Sequence, residues 1–110
     1  MQLNTDKLSS DIKAAIALVL KKDAESIEGF NPKLLAKLVR QSDNSSLSIK
    51  SGKITGETRS FLIDGVRRNI LAFVGEMKGI DILTANRVHF AVSVVVFKTI
   101  SEASGFQIKP

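Results

Sequence analysis

The 110-residue chain has no cysteine, no tryptophan and no tyrosine, and it holds one histidine and two prolines. Without cysteine there can be no disulfide or thiolate metal site, and a reducing compartment is the expected setting. Tryptophan and tyrosine are two of the three residue types that anchor most binding hot spots, so aromatic-driven recognition is poorly served. Base stacking on aromatic platforms is left to phenylalanine alone. The longest apolar runs, residues 14–20 and 90–97, fall far short of the roughly 20 residues that a membrane-crossing helix needs. The opening MQLNTDKLSSD lacks the basic start and unbroken apolar stretch of a signal peptide. These absences point to a cytoplasmic protein with no membrane partner.

Motifs for chemistry are missing as well. His89 sits in an apolar run with no second histidine to share a metal, which reads as a core or interface side chain. No glycine-rich phosphate loop or nucleophile elbow occurs. The acidic residues near helix ends, Asp6, Asp11, Asp23, Glu25 and Glu28, read as caps or solvated carboxylates. Asp64 and Arg68 are spaced for a surface ion pair on one helix. The expectation is a protein that is not an enzyme and uses no cofactor or metal.

What is present is ordinary globular material: 44% hydrophobic and 25% charged residues, enough for one core and too few residues for two. We read residues 1–110 as a single domain, with an N-terminal helix and connector over 1–30 and the core over 31–110. Leu8, Ile12, Ala15, Ile16 and Val19 recur at helical spacing and predict a helix over about 6–22. Asn31-Pro32 is an N-cap followed by a first-turn proline, and Leu34, Leu35, Leu38 and Val39 form the stripe behind it. This second helix is expected to end near Gln41, with Ser42-Asp43-Asn44-Ser45-Ser46 as a loop. Leu62, Val66, Ile70, Phe73, Val74 and Met77 predict a third helix from about Thr55 to Lys78, stopped by Gly79.

Two stretches admit two readings. Ser51-Gly52 is either a loop entering the third helix or the tip of a hairpin over 47–55. Residues 88–97 are either a buried helix with Thr84 as its cap or a strand, because Val88, Phe90, Val92, Val94 and Val96 alternate. The two choices are coupled, since a lone hairpin is barely stable in water. We take the helical option: a mainly α, compact bundle of four to five helices. The alternative is an α+β domain with a hairpin at 47–55 and a strand at 88–97.

The net charge of +5 is unevenly placed. Residues 1–30 hold four basic against five acidic side chains, residues 31–59 six against two, and residues 60–110 six against four. Lys33, Lys37 and Arg40 fall at i, i+4 and i+7 and share one helix face. Lys50, Lys53 and Arg59 could extend that patch if the fold brings their loop beside the helix. An anionic partner would relieve the repulsion among such charges, and the bland alternative is a solvated face that keeps the protein soluble. The last segment is more apolar than one small core needs, which predicts a homodimer through Val92, Val95, Val96 and Phe97.

Ser51-Gly52, Ile54, Glu57-Thr58-Arg59 and Leu62 fit, without gaps, an S-G-x-I-x-x-E-T-R-x-x-L pattern. In this the chain resembles a core histone at the entry to its long central helix. Leu83-Thr84-Ala85, Val88 and Ala91 look like the start of the last histone helix, and Asn31 to Gln41 would be the short first one. The resemblance covers residues 31–100. It implies a handshake dimer contacting DNA phosphates, with Lys50 and Lys53 in the first loop and Arg59 beside it. Two functional expectations follow. One is a small non-enzymatic interaction or regulatory module, acting as a homodimer and binding a further, unidentified protein. The other is a basic, histone-like protein holding double-stranded DNA through Lys33, Lys37, Arg40, Lys50, Lys53 and Arg59.

Overall fold

The computed structural model describes residues 3–109. It is a mainly α bundle of four helices: α1 (Thr5–Leu20), α2 (Pro32–Lys50), α3 (Gly56–Gly75) and α4 (Ile82–Ser104), with a 3-10 turn at Ala24–Ser26. No strand occurs among the described residues, so the α+β alternative, with a hairpin at 47–55 and a strand at 88–97, is not borne out.

Each helix starts at a side chain that satisfies otherwise orphaned N–H groups. Asn4 accepts from Lys7 N–H at 3.0 Å, and Asn31 accepts from Lys33 and Leu34 N–H at 3.0 and 3.3 Å. Thr55 accepts from Thr58 N–H at 3.1 Å, and Asp81 from Thr84 N–H at 2.8 Å. The cap of α4 is thus Asp81, three residues before the expected Thr84. The Thr84 hydrogen bond, first by its backbone N–H, holds the Asp81 carboxyl below its usual range.

The largest departure from expectation lies in α2, which continues for two and a half turns beyond Gln41. The supposed loop at residues 42–46 is helical. Ser42 Oγ donates to Leu38 O and Ser46 Oγ to Ser42 O, both at 2.8 Å. The hydroxyls of Ser42 and Ser46 are satisfied within the helix, so these two serines can enter the core, whereas Ser45 Oγ is buried without a partner. Ser42, Ser45 and Ser46 are buried and continue the stripe of Leu35, Leu38 and Val39 down to Ile49. The short first helix that the histone resemblance implied over residues 31–41 is therefore a 19-residue helix here.

Ser51-Gly52 is a loop, as the helical reading required. Gly52 has φ +70°, Ser51 Oγ donates to Ser48 O, and α3 begins four residues later. At the other end of the bundle, the connector 24–30 docks on the α3–α4 connector. Lys78 N–H donates to Glu28 O at 2.8 Å, and Phe30 meets Phe73 edge-on with ring centroids 5.7 Å apart. Gly29 lies between them at φ +86°, where only glycine fits, because a Cβ would sit 1.8 Å from Glu76 O.

The helices stack as a rhombus. α1 lies along α4 and touches α2, α3 lies along α2 and touches α4, and α2 meets α4 directly. No contact joins α1 to α3 among the described residues. The helices α2 and α4 therefore occupy the two ends of the short diagonal, and their outward faces point in opposite directions. Between them lies one core, including Ile12, Leu38, Ile70, Phe73, Val92 and Phe97, all fully buried.

Candidate functional site: two opposed surfaces

The outward face of α2 is cationic. Lys33, Lys37 and Arg40 are exposed on the side opposite the buried stripe, with Asn44 in line beyond them. At 1.5 Å per residue, their backbone positions succeed one another by about 6 and about 4.5 Å along the helix. The row begins at the N-terminal end of the helix, whose dipole adds to its positive potential.

The other three predicted cations do not join this row. Lys50 and Lys53 are exposed at the corner where α2 turns into α3, and Lys50 lies about 25 Å along the axis from Lys33. Arg59 is half-buried, with its guanidinium 4.9 Å from the centroid of the Phe106 ring. The six residues therefore form a helical row and a separate corner group. Among the described residues, the ion pairs are Lys7–Asp11, Lys13–Glu25 and Arg67–Asp64, so none of the six meets a carboxylate. The expected Asp64–Arg68 pair is replaced by Asp64–Arg67 at 3.0 Å, which leaves Arg68 exposed and outside the ion pairs described.

Sequence reasoning gave Arg68 no binding role. The side-chain amide of Gln41 lies 3.0 Å from where a Cβ on Gly65 would be, so α3 meets α2 at this point. Arg68, one turn on from Gly65, adds a fourth cation to the outer surface of this helix pair. The signal was present as helical spacing on α3, but linking it to α2 needed the Gln41–Gly65 contact.

The outward face of α4 is apolar. Leu83, Phe90 and Val94 are 77%, 64% and 38% exposed, and Arg87 stands among them. Their spacing of four, three and four residues makes a continuous seam of the kind that pairs helices. Ile82 and Leu71, also exposed, lie at its end, lining a cleft of about 460 Å³ with Val74, Met77, Ile80 and His89. His89 is half-buried, and its Nε2 is enclosed without a hydrogen-bond partner.

The interface expected at Val92, Val95, Val96 and Phe97 is thereby corrected. Val92, Val96 and Phe97 are fully buried in the protein's own core, and Val95 packs half-buried against it. The surplus of apolar residues in α4 is real, but its exposed part is Leu83, Phe90 and Val94, and the seam stops short of Phe97, whose ring is buried beneath the Arg67 guanidinium.

Among the described residues, no three His, Cys, Asp or Glu side chains come together as a metal site. No helix among them is long and apolar enough to cross a membrane.

Fold and surface together define an all-α bundle with a cationic face and an apolar face on opposite sides. No protein-family description, curated protein or solved structure matches this chain.

Proposed function

We propose that the chain is a non-enzymatic interaction module that works as a homodimer, paired through the outward seam of α4. The observation that supports this reading is the seam's self-complementarity. If two copies of α4 pack antiparallel about a two-fold axis beside residues 88–89, Leu83 faces the partner's Val94 and Arg87 faces the partner's Phe90. The first is an apolar pair. The second is a guanidinium over an aromatic ring, a contact this fold already makes twice, Arg59 with Phe106 and Arg67 with Phe97.

The exposed parts of Leu83, Phe90 and Val94 on both copies correspond to a gross gain of about 5–11 kcal/mol on burial. Association entropy takes back about 4 kcal/mol or more, so the dimer is a weak one, micromolar at best. Light scattering across a concentration series tests this. The expected mass rises toward twice the monomer with concentration, and Phe90→Asp holds it at the monomer while leaving helicity unchanged. A wild-type mass that stays at the monomer up to millimolar concentration overturns the reading.

A second reading is supported by the unpaired cations. Lys33, Lys37 and Arg40 form a phosphate-contacting row for double-stranded DNA, held without sequence preference. The histone resemblance implied Lys50, Lys53 and Arg59 for this task, but those three sit at the corner, away from the row. Fluorescence-anisotropy titration of a short mixed-sequence duplex, from low to physiological salt, is the test. Salt-sensitive saturable binding supports the row as a site, and no binding at low salt leaves it as solubilising charge.

A further inference from the structure

The rhombic packing gives the two surfaces a relation that neither has alone. α2 and α4 end the short diagonal of the bundle, so the cationic row and the apolar seam face away from each other across the core. Pairing two copies through α4 leaves both α2 rows outermost, on opposite sides of the dimer. The bundle has a 24 × 21 Å cross-section between Cα extremes, so the rows stand on the order of 40 Å apart. They also point in opposite directions. One straight duplex cannot touch both, and two duplexes can be held without competing for the same cations.

We infer that the dimer is a two-headed linker that holds two DNA duplexes side by side, one on each α2 row. This rests on both readings given above. The partner at the α4 seam is a second copy, because the seam matches its own antiparallel image and offers no carboxylate for a different basic surface. The partner at α2 is a regularly charged polyanion. The row is cationic through Lys33, Lys37 and Arg40, none of which meets a carboxylate in the ion pairs described, and Leu47, 48% exposed two turns beyond Arg40, is the one large apolar side chain exposed on α2. Each row covers only about 10 Å of helix. A single row therefore binds weakly, and linking two duplexes depends on the dimer's paired valency.

The test is capture of a fluorescent duplex by an unlabelled duplex fixed sparsely on beads, with the protein as the only link. Anisotropy of the same fluorescent duplex reports simple binding in parallel. Wild-type protein is expected to bind and to capture. Leu83→Gln with Phe90→Gln, charge-neutral changes at two exposed positions, should leave the salt slope of binding unchanged and reduce capture to the level without protein. Lys33→Gln, Lys37→Gln and Arg40→Gln together should lose both signals.

Wild-type protein that binds but does not capture overturns the linker while leaving the phosphate reading intact. Failure to bind even at low salt overturns it together with that reading. Capture that survives in the double apolar variant also overturns it, because linking would then not pass through α4. Circular dichroism on each variant shows that any loss of signal is not a loss of fold.

Discussion

Gly29→Ala measures how firmly the two connectors at one end of the bundle are locked together. A Cβ at position 29 would lie 1.8 Å from Glu76 O, 2.8 Å from Glu76 C and 3.1 Å from Met77 Cα. All three are backbone atoms, so no side chain can swing away, and the connector must shift against α3. That shift strains the Lys78–Glu28 hydrogen bond and the Phe30–Phe73 contact beside it. Holding alanine at φ +86° costs about 1–2 kcal/mol, and displacing packed backbone a further 1–3 kcal/mol. The sum, about 2–5 kcal/mol, is a large fraction of a domain's stability and should lower Tm by about 8–20 °C. Gly52→Ala is the internal control. Its φ is +70° and nothing lies within 4 Å of its Cβ site, so only the conformational cost, about 1–2 kcal/mol, remains. Thermal and urea unfolding by circular dichroism compare the two, and the gain from a less flexible unfolded chain cancels between them. Equal losses for both variants, or a neutral Gly29→Ala, would refute the close approach of the two connectors.

Three further outcomes are expected. Asn44→Ala should raise stability by about 0.5 kcal/mol in urea titration, since position 44 is exposed mid-helix, where alanine is the better helix former; a loop at 42–46 would give no gain. Asp81 has its folded pKa lowered from 3.8, chiefly by the Thr84 N–H, so its contribution is complete above 3.8 and lost as pH falls through the lower folded value. Asp81→Asn keeps an N-cap acceptor without the titration, so its Tm should fall less than wild type's on acidification below that range. Lys37→Gln alone should flatten the log–log salt slope of duplex binding by about 0.9, the share of one phosphate contact.

The sequence was readable wherever a local signal decided the structure. Asn31-Pro32 marked the start of α2 because cap and first-turn proline act within four residues. Leu8, Ile12 and Ile16 marked α1 in the same way. The serines at 42–46 misled because their loop preference is intrinsic, whereas their helical placement depends on a core that accepts small side chains. In α4 the strand-like alternation of residues 88–96 comes from two interleaved helical faces. Val88, Val92 and Val96 fill the core, while Phe90 and Val94 stand in the outward seam. Apolarity alone could not say which face was which, so the expected interface fell on the buried one. The cationic row of α2 followed from helical spacing. Its separation from Lys50, Lys53 and Arg59 followed from the full length of α2, which a helix ending at Gln41 would have hidden.

Because the chain has no cysteine, the α4 pairing can be tested directly with single introduced thiols. Leu83→Cys and Val94→Cys are made as separate proteins, mixed, and oxidised mildly. In the antiparallel register, position 83 faces the partner's position 94, within the roughly 7 Å between Cα atoms that a disulfide can span. Like positions in the two copies are offset by about 16 Å along the axis. A disulfide-linked heterodimer is expected from the mixture, with little linkage from either variant alone. Linkage of each variant to itself as readily as to the other, or none in the mixture, would contradict the α4 pairing.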